Sequence, residues 1–231
     1  MRVVTWNLFH GRAVPEERRP LLGEFAARLA SWDWDVALLQ EVPPWWAPEL
    51  GAACAASART ALTSRNWFLP VTRRLADRRP DLIKSWGGGA NTILVRGQAV
   101  REHRTLTLRR RPERRVAHAV LLARGWWVCN LHAQAHSEKH AQADIARAVS
   151  WAFPPTQHAP SILGGDMNTH RPVAPGFVHA AGHAVDHILV RGLEVTAPGR
   201  TLDRGTLSDH LPVLAEVAPR KDPAAEASLA T

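Results

Sequence analysis

Apolar and polar residues fall along this chain in short blocks, and the period changes from block to block. Arg2 to Trp6 reads as a first strand, with Asn7 at its end. From Pro15 to Trp32 the period is helical: Leu21, Leu22, Phe25 and Leu29 recur at three- and four-residue steps, with Glu17, Arg18, Glu24 and Arg28 between them. Asp35 then opens Val36-Ala37-Leu38-Leu39-Gln40-Glu41, a buried strand that closes on Glu41. Strand, helix and strand in this order predict an α/β fold.

The middle of the chain carries less pattern. Pro48 to Ala58 and Leu69 to Ala76 read as helices, and Gly87-Gly88-Gly89 as a flexible joint. Thr92 to Val95 is a short strand, and Arg101 to Arg115 an exposed, arginine-rich segment. Val116 to Ala123, the Arg124-Gly125 turn and Trp126 to His132 form a hairpin. On its second arm Val128, Asn130 and His132 share one face. Ser137 caps a helix running to Ala152, with Ile145, Ala148 and Val149 inward, and Pro154-Pro155 ends it. The apolar run Ser161 to Leu163 meets two glycines and then Asp166-Met167-Asn168, which a period of two points the same way. A Pro/Gly loop follows, then strands at Val185 to Val190, Leu193 to Thr196 and Leu211 to Val217. No repeat of fixed period and no linker divides the chain, so one domain is expected over residues 1–218, with 219–231 as a loose tail.

Composition narrows the partners. A hydrophobic content of 45% and a charged content of 22% suit a soluble globular protein, and no apolar run is long enough to span a membrane. The N-terminus lacks the apolar core of a signal peptide, so the cytoplasm is the expected compartment and a monomer the expected state. Cys54 and Cys129 make neither a disulfide framework nor a zinc pattern, and Cys129 reads as a small core residue. The formal net charge is +8, and every basic residue except Lys84, Lys139 and Lys221 is an arginine. That balance suits a polyanion such as nucleic acid or an anionic membrane surface. A compositional bias towards arginine, alanine and proline explains it equally well.

Six strand ends carry polar groups: Asn7; Glu41; Asn130 with His132; Asp166 with Asn168; Asp186 with His187; and Asp209 with His210. Singly, each has a plain explanation, such as an Asx turn, a capping residue or a satisfied core histidine. Together they point to one shared site. Taken in order, Thr5-Trp6-Asn7, Leu39-Gln40-Glu41, Asn130-Leu131-His132, Gly165-Asp166-Met167-Asn168, Val185-Asp186-His187 and Ser208-Asp209-His210-Leu211-Pro212-Val213 resemble the motifs of the endonuclease/exonuclease/phosphatase superfamily, the DNase I-like fold.

The resemblance implies a four-layer α/β sandwich: two mixed β-sheets packed face to face with helices outside. It also implies a phosphoesterase dependent on Mg2+ or Mn2+, since hard cations take oxygen ligands. On the family pattern Glu41 is the chief metal ligand, with Asn7 and Asp209 beside it. Asp166 aligns or deprotonates the attacking water, and Asn168 holds it or a phosphate oxygen. His210 steadies the charge on phosphorus or acts as base, Asp186 fixes its tautomer, and His132 contacts the phosphate. The choice of base between Asp166 and His210 stays open. Asn91, in Gly89-Ala90-Asn91-Thr92-Ile93-Leu94, resembles a substrate contact, and Asn130 and Arg115 complete the expected substrate-binding set.

Departures matter too. The DNA-repair branch has Gln-Glu-Thr-Lys after the second strand, where this chain has Gln40-Glu41-Val42-Pro43, and the secreted branch has disulfides. A rival zinc pair, His136 and His140 on one helical face, lacks the glutamate of the usual catalytic spacing. The expected substrate is therefore nucleic acid or another phosphate ester. The alternatives are a lipid or inositol-phosphate phosphoesterase, and a nucleic-acid-binding module that has lost its chemistry.

Overall fold

A computed structural model describes residues 1–63, 66, 73–75, 78, 81, 88–154 and 158–220. Two six-stranded sheets face one another. The first runs β11 (Leu193–Thr201), β12 (Val213–Pro219), β1 (Arg2–Asn7), β2 (Val36–Val42), β4 (Ala90–Arg96), β3 (Ala56–Leu62). The second runs β5 (Val100–Arg109), β6 (Arg115–Leu122), β7 (Trp127–His132), β8 (Ser161–Asp166), β10 (Asp186–Arg191), β9 (Val178–His183). Each sheet holds one parallel pair, β1 with β2 and β7 with β8; its other pairs are antiparallel.

Three apolar layers hold the stack. Val3, Leu38, Ile93, Val128, Ile162, Ile188 and Val213 fill the space between the sheets. Trp6, Phe25, Leu39, Trp46 and Leu50 seal the first sheet under α1 (Leu22–Ser31) and α2 (Ala47–Ala53). Cys129, Leu131, Ile145, Ala148 and Leu163 seal the second under α3 (Glu138–Ala152). The result is the four-layer sandwich expected from the sequence. Ser137 does cap α3, its hydroxyl accepting from the His140 N–H, and Ile145, Ala148 and Val149 face inward.

Several elements differ from the sequence reading. The first helix begins only at Leu22, because a residue before proline is driven from the helical region and Pro20 blocks an earlier start. The second helix stops at Ala53, and Ala56–Leu62 is a strand instead. The arginine-rich segment is also a strand, β5, and β9 occupies what reads as a Pro/Gly loop. All three missed strands lie at sheet edges, where the backbone pairs on one side and the side chains face mostly outward. The helix read at Leu69 to Ala76 lies outside the described residues except at 73–75, and the tail read from 219 lies outside them beyond 220.

Along the inner face of each sheet, steps of two residues lead from core to site. On β1 the steps are Val3, Thr5, Asn7; on β7, Val128, Asn130, His132; on β8, Ile162, Gly164, Asp166. On β10, which runs antiparallel to β8, they are Val190, Ile188, Asp186. Each strand is apolar in the centre of the sandwich and polar at the same end.

Candidate active site

The polar ends open into one cleft of about 450 Å³, lined by Asn7, Glu41, Arg115, His132, Asp166, Asn168, Asp209 and His210 among others. Eight of the eleven site residues expected from sequence therefore meet there. The two glycines of β8 make the meeting possible. A Cβ on Gly164 would come within 2.6 Å of Leu38 of the facing sheet, and one on Gly165, at φ +144°, within 1.8 Å of the Leu131 carbonyl.

Asp166 stands at the centre. Its Oδ2 accepts from Asn7 Nδ2 at 3.0 Å and its Oδ1 from the Asn168 N–H at 3.0 Å. His132 Nε2 is 3.5 Å from Oδ2, and His210 Nε2 4.0 Å. Burial, and after it the charge of Asp186, push the Asp166 pKa up to about 7. Asn168 does not continue the strand. At φ +48° it closes the Asx turn just described and donates its side-chain amide to the Ala133 carbonyl at 3.0 Å.

Asp186 lies behind the cleft and accepts from His210 Nδ1 at 2.7 Å. Burial alone would lower the His210 pKa, but the bond and charge of Asp186, with Asp166 and Asp209 nearby, raise it to about 9. Burial also pushes Asp186 up and His210 pulls it back, so with three carboxylates around one imidazole the proton belongs on His210. His132 has the opposite fate: burial, then the charge of Arg115, keep it neutral with a lowered pKa. Ser208 pins the loop that carries Asp209 and His210. Its hydroxyl donates to the Asn7 carbonyl at 2.6 Å and accepts the His210 N–H at 3.0 Å.

Glu41 reaches the cleft through a bulge that a period of two does not predict. Gln40 already points between the sheets, so regular alternation would turn Glu41 towards the helices. The pairing of β2 with β4 slips between Leu39 and Val42, and Glu41 adopts φ +50°. Its carboxylate lies 3.1 Å from His10 Nε2 and 3.9 Å from His132 Nε2.

Two expectations need correction, and the rival zinc pair set aside from the sequence gains no support. Asn130 is not placed to touch substrate. It is fully buried and spends its amide on Leu39 O, Thr92 O and Gln40 Nε2, tying the two sheets together. Asn91 is likewise buried outside the cleft, donating to Val116 O. The zinc pair fails on geometry: His136, at φ +61°, precedes the Ser137 cap and lines the cleft, whereas His140 lies on α3. The sequence reading also missed Phe9, His10, Arg12, Thr63, Glu113 and Arg114 in the cleft wall. Only the position of residues 9 to 12 just after Asn7 could have flagged the first three.

Trp45 and Trp46 pack on the core that includes Phe25. Among the described residues no helix is long and apolar enough to cross a membrane.

The sandwich is shared by many solved structures. A conserved protein of unknown function from Enterococcus faecalis superposes with a TM-score of 0.72 at 18% identity, over 95% of this chain and 100% of that one. A mannosyl-6-phosphatase from Bacteroides thetaiotaomicron gives 0.64 at 15%, over 94% and 99%. TDP2 from Caenorhabditis elegans gives 0.62 at 15%, over 93% and 73%. No curated protein matches the chain in sequence. The model of the Endonuclease/Exonuclease/phosphatase family matches residues 4–210, and the chain belongs to that family. Its members are phosphoesterase hydrolases, and they typically use divalent metals.

Proposed function

We propose that the chain is a divalent-metal-dependent phosphoester hydrolase that directs a water in line at a phosphorus held in this cleft. The observation that carries the reading is Asp166, a buried carboxylate with a pKa near 7, oriented by Asn7 and Asn168 and flanked by two histidines of opposite protonation. A group poised there takes a proton from water at neutral pH, so Asp166 is the base. His210 already carries its proton. It faces the cleft as an imidazolium that steadies negative charge on the phosphate, and Asp186 fixes its orientation. Neutral His132 offers its ring nitrogen from the opposite side.

The donor set fits magnesium or manganese. Glu41 and Asp209 form no ion pair with any described arginine or lysine, in a chain rich in arginine, and with Asn7 they would hold the cation through oxygen. When bound, it polarises the phosphate and lowers the cost of the departing oxygen. Asp166, Asp186 and His210 also bring three ligand atoms within 4.8 Å, but the Asp186–His210 bond commits two of them to each other. Purified protein should hydrolyse a chromogenic phosphodiester with Mg2+ or Mn2+ and stop with chelator. Glu41→Gln should need far more metal for half-activation without lowering Tm. Full activity in chelator would overturn the metal requirement.

For substrate, the nucleic-acid reading rests on the arginines at the cleft, Arg12, Arg114 and Arg115, and on exposed Arg110 and Arg111 beyond it. A small phosphate ester is the second reading. It is favoured by where other arginines have gone: Arg104 lies over the Trp127 ring, Arg109 pairs with Asp144, and Arg115 pairs with Glu113. A panel of duplex DNA, single-stranded DNA, RNA and small esters separates the two. Binding to duplex DNA should weaken with salt by a log–log slope of about −0.9 per phosphate contact, and a flat response sinks the nucleic-acid reading.

A further inference from the structure

Arg12 is a buried arginine in the cleft wall. It is 9% exposed, and no described carboxylate forms an ion pair with it. Burial pulls its pKa below the ordinary arginine value, and the charges of Glu41, Asp209, Asp81 and Glu16 act against that shift without forming an ion pair among the described residues. A buried cation with no paired carboxylate among the described residues is costly, and groups of that kind cluster at functional sites.

Its side chain is also held in place before any ligand arrives. The guanidinium carbon lies 3.6 Å above the centre of the Phe9 ring, and Nε donates to the Phe9 carbonyl at 3.2 Å. That spends one of five guanidinium donors and leaves both terminal nitrogens for the cleft. The backbone beneath is strained into position. Phe9, His10 and Gly11 take φ of +50°, +54° and +78° in succession, and the Arg12 carbonyl is tied to the Ser208 N–H at 2.9 Å. Strain of this kind persists where the surroundings enforce a functional geometry. The anchor at Ser208 places Arg12 against the same loop that carries Asp209 and His210.

We propose that Arg12 is a substrate contact: its Phe9-stacked guanidinium grips a non-bridging oxygen of the phosphoryl group in the cleft. The assignment rests on the phosphoesterase reading above, which counts Arg12 only as one of the cleft's arginines, and it gives that residue a defined contact. A planar fork suits phosphate better than a point charge, so lysine is a poor substitute.

The test uses full-length wild type, Arg12→Gln and Arg12→Lys. Inorganic phosphate binding is measured by calorimetry in the presence of Mg2+, and KM and kcat are measured separately on p-nitrophenyl phosphate and bis(p-nitrophenyl) phosphate. Arg12→Gln should weaken phosphate binding roughly 10- to 100-fold, with a matching rise in KM on whichever ester is cleaved. Arg12→Lys should recover only part of the loss. Tm of Arg12→Gln should be unchanged or higher, since the variant removes an unpaired buried charge. Phosphate affinity within twofold of wild type, absence of phosphate binding by wild type itself, or a Tm drop with unchanged affinity would each overturn the assignment. If phosphate binds through Arg12 but neither ester is cleaved, the hydrolase reading fails and this one stands. If ester cleavage is metal-dependent and indifferent to Arg12, the reverse holds.

Discussion

Two polar clusters lie between the sheets, one strand step apart, and they are built on opposite rules. In the inner one, Asn130 and Gln40 are fully buried, uncharged and bonded on every side, with Thr5 completing the set. In the outer one, Asn7, His132, Asp166, Asp186 and His210 are crowded with charge, and their pKa values are driven in opposite directions. The inner cluster locks the sandwich. The outer one crowds buried carboxylates and imidazoles together, which on the proposed function sets a proton acceptor beside a proton donor. Polarity at a buried strand position therefore does not mark a site. Unsettled charge does.

The sharpest way to break this comparison is to remove the outer charges. Asp166→Ala and His210→Ala should each cut turnover by about 10²- to 10⁴-fold, the range of a lost acid–base group, with folding intact by circular dichroism. Asp186→Asn should cost less than His210→Ala, and the double variant little more than the worse single, because Asp186 acts through His210. Additive losses would show that the pair is not a unit.

Structural charges should behave the other way. Arg109→Gln strands Asp144, a fully buried carboxylate that it bonds at 2.9 Å. We expect a loss of about 3–5 kcal/mol in denaturant melts. Retained stability together with weaker DNA binding would instead return Arg109 to the role in polyanion contact that its sequence neighbourhood suggests. Asn130→Ala, in the inner cluster, should cost about 1–3 kcal/mol by removing the side-chain donor from the buried Leu39 and Thr92 carbonyls; the Gln40 amide keeps Thr5 and Leu38 as acceptors. Turnover per folded molecule should stay within a few-fold of wild type, and a thousandfold loss would restore Asn130 to the site.

The smallest effect on turnover should come from His118. It is buried outside the cleft with neither ring nitrogen bonded among the described residues, resting edge-on against His103 at 4.8 Å. Burial lowers its pKa to about 3, whereas an unfolded imidazole titrates near ~6.5. Between those values the unfolded chain binds the extra proton. Stability is therefore fullest above the unfolded value and declines as pH falls towards the folded one. His118→Phe should make this acid limb shallower and leave turnover within twofold. The limb will not vanish, because His132 and His187 shift in the same direction.

The sequence carried much of this site because strand alternation is a local rule. It set His132 on the face of Val128 and Asn130, and the order of motifs supplied Asn7, Asp166, Asp186, Asp209 and His210. It could not separate Asn130 from His132, which share that face, since depth along the sandwich decides which one is satisfied. Glu41 lay in the right motif but on the wrong face until a bulge turned it. The strands β3, β5 and β9 were hidden because an edge strand needs backbone partners more than apolar side chains. Arg12 gave no periodic signal at all; what distinguishes it is that no described carboxylate forms an ion pair with it.

The two sheets also follow one wiring diagram. In each, an antiparallel pair leads into a parallel pair, and a return hairpin closes the far edge in reversed order: β11-β12-β1-β2-β4-β3 in one, β5-β6-β7-β8-β10-β9 in the other. The parallel pair supplies the working ends both times, Asn7 and Glu41 from the first, His132 and Asp166 from the second. The molecule is a single plan drawn twice, the first drawing closed by joining the two ends of the chain, with no shared run of residues to betray it. The cleft is the seam between the drawings. Asn7, Glu41, Asp209 and His210 come from the first half and His132, Asp166 and Asp186 from the second, so neither half holds a complete site.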